Sequence, residues 1–311
     1  MTTAPAAVEG ASPARPVAIS AKAPGALERV RRYSRLVALP HTVFALPFAL
    51  GSAALAFRQA RVPFTLSRLG WIVVAVAAAR TAAMAFNRLV DRRFDGENPR
   101  TRDRELPRGL ISRPGAIALT TLAAALFLVA AWRLGPWPLA LAPLALAILF
   151  GYSLAKRFTW ATHLWLGLAL GGAPAGAWLA VTGRFALAPL ILSVAVAAWV
   201  AGFDIIYSCQ DAAFDRARGL GSAPARFGLD RALRFSSLLH LAAAVGLFAF
   251  GALLHLGPIY FAGALAIAAT LVYEHRLVSP TDLSRVDRAF FNLNGWVSLL
   301  FGACAIAEAL L

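Results

Sequence analysis

The sequence predicts an all-α, polytopic membrane protein, and three observations carry that prediction. Of 311 residues, 59% are hydrophobic and 14% charged, where a soluble domain carries nearer a quarter charged. Apolar runs long enough to cross about 30 Å of hydrocarbon recur along nearly the whole chain. The charged residues collect in short blocks between those runs. The formal net charge of +15 would suggest a nucleic-acid partner in a soluble chain. Here the positive charges lie mostly between spans, where they set orientation and attract anionic lipid or phosphorylated substrate, so no nucleic acid is expected.

Taken in order, residues 1–28 are rich in Ala and Pro without a continuous apolar core, and are expected to be a disordered cytoplasmic tail, not a signal peptide. One domain, 29–311, then holds nine spans near 36–57, 65–88, 115–133, 136–154, 163–182, 187–207, 235–254, 256–274 and 290–310. Gly135-Pro136-Trp137-Pro138 and Gly257-Pro258 mark tight turns on one side of the membrane. The other side carries the basic blocks: Arg29 to Arg35, Arg88 to Arg113, Lys156 and Arg157, Arg216 to Arg234, and Arg276 to Arg288. By the positive-inside rule the N-terminus and every even-numbered loop are cytoplasmic, which leaves the C-terminus outside. Arg58, Arg61 and Arg68 run against that pattern. Cys209 and Cys304 match no metal or redox spacing and read as packing residues. Acidic motifs end spans 2 and 6, and tyrosine-containing motifs end spans 4 and 8, which suggests two similar halves.

Two acidic clusters carry the chemistry. In Asn87-x3-Asp91-x3-Asp95 each step of four displaces a residue by only about 40° around a helix, so all three share one face at the end of span 2. In Asp204-x6-Asp211-x3-Asp215 a step of seven falls within about 20° of two full turns, so these also share a face if the helix is continuous. Asp204 lies within an apolar run, and ionisable groups at that depth mark a substrate or ion path. Magnesium takes oxygen ligands, one or two carboxylates with water and substrate phosphate. Two facing clusters suit several such ions bridged to one diphosphate. The alternative is that the aspartates pair with neighbouring arginines at the membrane surface.

Arg100 and Arg104, four apart beside the first cluster, offer planar forks for phosphate oxygens. Tyr152 and Lys156, again four apart, end span 4 with Arg157 beyond them, and a lysine there is a point-charge ligand for phosphate. Pro40-His41-Thr42 places an imidazole near the start of span 1, suited to orienting a substrate or to helix packing. Asn292 and Asn294 on span 9 hydrogen-bond either a substrate or another helix. Gly171-Gly172-Ala173-Pro174 interrupts span 5 in favour of close packing.

Together these motifs resemble the UbiA superfamily of intramembrane prenyltransferases over the whole chain after the tail. The resemblance implies nine helices around a central cavity, open laterally to lipid, capped by cytoplasmic loops, in a bacterial cytoplasmic membrane with the active site facing the cytoplasm. It implies magnesium as cofactor, a polyprenyl diphosphate and a small aromatic acceptor as partners, and the lipid bilayer as surroundings. Residue by residue, it assigns Asn87, Asp91, Asp95, Asp204, Asp211 and Asp215 to metal, and Arg100, Arg104, Tyr152, Lys156 and Arg157 to diphosphate. His41, Tyr207 and Asn292 fall to the acceptor, with catalysis turning on Asp91, Asp211 and Lys156. Asp211 serves either as a metal ligand or as acceptor of the ring proton. Finer wording, His41 to Leu50, Ala173 to Trp178 and Gly219 to Gly228, resembles the 4-hydroxybenzoate polyprenyltransferase-like branch associated with the futalosine route to menaquinone. That branch implies a dihydroxynaphthoate acceptor, with 4-hydroxybenzoate as the alternative. Glu105, in Arg104-Glu-Leu-Pro107, departs from the familiar arginine-proline-leucine. A transporter of anionic solutes is the rival from another class, but the acids lie at one membrane face instead of the midplane.

Overall fold

A computed structural model describes residues 25–37 and 44–311 of the chain. It is helical throughout. The helices are α1 (Ala26–Leu36), α2 (Leu46–Gln59), α3 (Leu66–Glu97), α4 (Arg113–Leu134), α5 (Pro136–Ala155), α6 (Thr162–Thr182), α7 (Leu187–Ser208), α8 (Ala212–Ala217), α9 (Ala223–Phe227), α10 (Leu229–Leu253), α11 (Pro258–Leu277) and α12 (Asn294–Leu310). The first turn of α1 overlaps the end of the expected 1–28 tail, of which residues 1–24 lie outside the described part.

Among the described residues seven helical stretches, not nine, are long and apolar enough to cross a membrane. They are α3 to α6, α7 with its extension to Ala217, α10, and α12 with the π-helical turn Arg288–Leu293 before it. The other two predicted spans are helical but fall short. Helix α2 has 14 residues, and α11 has 20 but ends on Glu274, His275 and Arg276, whose charge dilutes its apolar run.

Local chemistry sets the boundaries. Helix α4 starts where Ser112 Oγ accepts from the Gly115 amide at 3.2 Å and Pro114 occupies the first turn. Gly135, at φ 127°, turns the chain directly into Pro136. Helix α6 runs unbroken through Pro174, so the expected interruption is absent. The Ala175 amide there donates to Ser193 Oγ at 3.1 Å, and Ser52 Oγ donates to Pro174 O at 2.8 Å. Side chains thus absorb the local disturbance that proline brings, as helices in lipid require.

Successive long helices pack side by side from α3 to α12, and α12 returns to pack on α2. Close approach depends on glycine. A Cβ at Gly167 would meet Ala197 O at 2.3 Å and one at Gly171 would meet Ser193 O at 2.6 Å, which brings α6 against α7. At the α2–α12 seam Gly51 faces Ala305 and Phe301, Gly302 faces Pro47, and Phe48 stacks on Phe301 with centroids 4.4 Å apart. The interior is aromatic: Phe44, Trp199, Phe203 and Phe290 meet edge-on or tilted, and Tyr207 stacks on Phe290 at 4.1 Å. A buried polar chain crosses this core. Trp199 Nε1 donates to Asn294 Oδ1 at 2.6 Å, and Asn294 Nδ2 donates to Glu274 Oε1 at 2.8 Å.

Candidate active site

The ends of α3, α5 and α7 converge at one end of the bundle, covered by the loop 98–112. On α3, Asn87 Nδ2 donates to Asp91 Oδ2 at 2.9 Å, so the two residues four apart do share a face. Arg157, just past α5, donates to Asp91 Oδ1 at 3.0 Å and to Val90 O at 2.8 Å. Arg104 donates to Asp95 Oδ1 at 2.6 Å. Asp95 is buried, and its Oδ2 has no hydrogen-bond partner among the described residues. Such an orphaned carboxylate oxygen is costly unless something else takes it.

The second cluster departs from the expected continuous helix. A 3₁₀ turn, Cys209–Asp211, separates α7 from α8. Arg100 forks onto Asp211: Nε donates to Oδ1 at 2.9 Å, and Nη2 pairs with Oδ2. Asn98 Nδ2 also donates to Asp211 Oδ1, at 3.1 Å, and Arg100 Nη1 donates to the Tyr207 hydroxyl at 2.8 Å. Burial works against the Arg100 charge, but the hydrogen bond to Asp211 and the nearby oxygens outweigh it and hold the guanidinium above the ordinary arginine range. Lys156 Nζ pairs with the buried Asp215 at 3.1 Å. Asp204 is engaged by His163 at 2.6 Å.

The arrangement is therefore a set of carboxylate–cation pairs. Arg157, Arg104, Arg100 and Lys156 each hold one of Asp91, Asp95, Asp211 and Asp215. Among the described residues no three acidic, His or Cys side chains gather closely enough to hold a metal. The donor set nonetheless suits magnesium: hard carboxylate and amide oxygens, one of them buried and unpartnered. A clasp adds to the same mouth, where Glu97 pairs with Arg218 at 3.2 Å.

Other predicted site residues fall as follows. Tyr152 is half-buried one turn before Lys156. Tyr207 joins Arg100 to the aromatic interior. Asn292 is exposed on the π-helical turn, whereas Asn294 is spent on helix packing. His41 lies outside the described residues. Sequence reasoning misses Asn98, His163 and Arg80. Arg80 is a half-buried cation inside the apolar part of α3, seven residues before Asn87 and so only about 20° from it around the helix. Its signal was a lone arginine in an otherwise alanine-rich stretch.

Fold and site thus define an all-α membrane protein with paired acids and cations at the ends of its spans. The UbiA prenyltransferase family profile matches residues 45–296, and the chain belongs to that family and is a prenyltransferase. The 4-hydroxybenzoate octaprenyltransferase of Nitrosospira multiformis is 31% identical over 76% of this chain and 81% of its own length. That of Tolumonas auensis is 30% identical over 80% and 86%. A UbiA homolog from Aeropyrum pernix K1, solved in its apo form, is 37% identical with a TM-score of 0.77, covering 86% of this chain and 98% of that one. A UbiA homolog from Archaeoglobus fulgidus bound to DMAPP and Mg2+ shares the fold, at TM-score 0.72 and 21% identity over 90% and 99%.

The relatives correct the expected branch. They are 4-hydroxybenzoate octaprenyltransferases, so the menaquinone assignment and its dihydroxynaphthoate acceptor are set aside. The physical reason is that the motifs read from sequence serve the diphosphate end of the reaction. They carry little information about the aromatic partner.

Proposed function

We propose that this chain transfers a polyprenyl group from its diphosphate to 4-hydroxybenzoate, with magnesium held by Asn87, Asp91, Asp95, Asp204, Asp211 and Asp215. The observation that carries this reading is the set of four carboxylate–cation pairs joining the two clusters. Magnesium, when bound, supplies charge neutralisation to the departing diphosphate. Arg100, Arg104, Lys156 and Arg157 reach the diphosphate oxygens by rotating away from the carboxylates they hold in this structure, with Tyr152 one turn behind. The carbon–oxygen bond to the prenyl group then breaks, and the allylic cation left behind lies in an apolar interior that excludes water. The Tyr207 ring, under the Arg100 guanidinium at 5.0 Å, offers that cation a face once Arg100 turns to the diphosphate. The electron-rich ring of the acceptor forms the new carbon–carbon bond, and its displaced proton leaves toward the polar end where Asp211 sits.

Arg80 supports the acceptor. A cation at that depth marks a substrate path, and the carboxylate of 4-hydroxybenzoate is an anion it would receive. In the bacterial cytoplasmic membrane, the positive-inside rule turns the arginine-bearing end, and so the site, to the cytoplasm. The test is a single assay on detergent-purified protein given magnesium, a radiolabelled polyprenyl diphosphate and 4-hydroxybenzoate. A lipid-soluble aromatic product, absent without magnesium and in Asp91→Ala and Asp211→Ala, is the expected result. Diphosphate bound without product would refute the acceptor, and no diphosphate binding would refute the site.

A further inference from the structure

Asp204 stands apart from Asp91, Asp95, Asp211 and Asp215, because among the described residues no arginine or lysine forms an ion pair with it. Its partner is His163, at the start of α6, whose ring is 1% exposed. The distance from His163 Nδ1 to Asp204 Oδ2 is 2.6 Å, and the amide of Ala223 lies 3.2 Å from His163 Nε2.

Those two bonds decide the tautomer. An amide N–H can only donate, so Nε2 must offer its lone pair to Ala223. The ring proton therefore sits on Nδ1 and points at Asp204. The imidazole engages Oδ2 alone and leaves Oδ1 outside that bond.

The Ala223 amide that fixes the ring begins α9, directly after a chain segment with its own tie to the site. Leu220 N donates to Asp215 O at 2.8 Å, and Gly221 N donates to Lys156 O at 2.6 Å. A Cβ at Gly221 would meet Thr159 O at 2.2 Å, so only glycine allows the segment to lie this close. One buried ring thus joins α6, the Asp204 carboxylate on α7, and the stretch of backbone seated against Lys156.

We propose that His163 is a positioning residue: it aims the Asp204 carboxylate into the site and, through Ala223, seats the 220–223 segment against Lys156. The proposal rests on the two-cluster metal reading above. A buried histidine that merely satisfied its own polar atoms would not need a carboxylate from the site.

Asparagine and glutamine separate the two arms. Asparagine can set its amide nitrogen where Nδ1 lies and still donate to Asp204. Glutamine can set its oxygen where Nε2 lies and still accept from Ala223, but it cannot serve Asp204. The experiment measures manganese binding by electron paramagnetic resonance in the full-length purified protein with inorganic pyrophosphate, with thermal unfolding followed in parallel. His163→Gln is expected to weaken manganese binding by about tenfold or more, and His163→Asn by no more than about threefold. In an Asp204→Asn background His163→Gln is expected to add no further loss, because the ring then has no carboxylate to aim. Equal weakening by the two substitutions, or a full additional loss in the Asp204→Asn background, would overturn the proposal. So would a lowered unfolding temperature with manganese affinity unchanged. Should His163→Gln not fold, Asp204→Asn alone must lower manganese affinity by about tenfold, and an unchanged affinity overturns the proposal. If the unaltered protein retains no manganese with pyrophosphate, the two-cluster reading fails and takes this role with it.

Discussion

Arg100 holds both oxygens of Asp211 and the Tyr207 hydroxyl at once. A lysine would keep the charge and lose the planar fork. With charge-assisted hydrogen bonds each contributing about 1.5–3 kcal/mol, Arg100→Gln is expected to lower kcat/KM for the prenyl diphosphate by about a hundredfold, and Arg100→Lys to recover no more than a tenth of the original value. Steady-state rates with varied diphosphate check both. Arg80 should divide the substrates. Arg80→Ala is expected to raise KM for 4-hydroxybenzoate by about ten- to a hundredfold while pyrophosphate binding, followed by calorimetry, stays as it was. An equal loss for both substrates would place Arg80 elsewhere. At this scale the helix faces of the candidate site were legible, because steps of four carry Asn87 onto Asp91 and bring Tyr152 and Lys156 to one helix end. Asn98, His163 and Arg80 were not, since Asn98 and His163 meet partners distant in the chain and Arg80 is a single charge within an apolar stretch of sequence. The alternative that the aspartates pair with neighbouring arginines describes part of this arrangement, since Arg100, Arg104 and Arg157, with Lys156, are their partners.

Helix positions follow from apolar periodicity and length, which is why helical segments occur at all nine predicted places. Whether each of them crosses is a finer matter. The charged last turn of α11 and the short α2 separate those two helices from the seven that meet the length and apolarity of a span. The 3₁₀ turn after α7 was not legible either, since nothing in Ser208-Cys-Gln-Asp211 breaks a helix by composition. Its presence reflects tertiary ties: Arg100 and Asn98 on Asp211, and Gln210 Nε2 donating to Asp287 at 3.1 Å. The α6–α7 pair offers the sharpest test at this scale. Gly167→Ala drives a methyl against the Ala197 carbonyl, 2.3 Å away, where backbone must move. The expected cost is about 1–3 kcal/mol, read as a lowered unfolding temperature in detergent, whereas Gly172→Ala, with open space around it, should leave that temperature unchanged.

Across the whole molecule, a carboxylate helps tie the end opposite the site. Glu308, near the end of α12 and buried, accepts from the Gly257 and Tyr260 amides at 2.9 and 3.1 Å and so caps the start of α11. Arg58 at the end of α2 donates to Glu308 O at 2.6 Å and lies 4.0 Å from its carboxylate. Glu308→Ala strands those buried amides, and is expected to destabilise the protein by about 1–3 kcal/mol. Because the site lies at the other end, kcat of the folded enzyme should be unchanged, a separation that thermal unfolding and initial rates measure together.

The seam between α2 and α12 also has a consequence in time. Helix α2 is made well before α12, so the glycine-to-alanine and glycine-to-proline fit at Gly51 and Gly302 has only one partner present until α12 follows. At about 5–20 residues per second, α2 waits some tens of seconds in lipid with that face uncovered. That seam can close only once α12 is made.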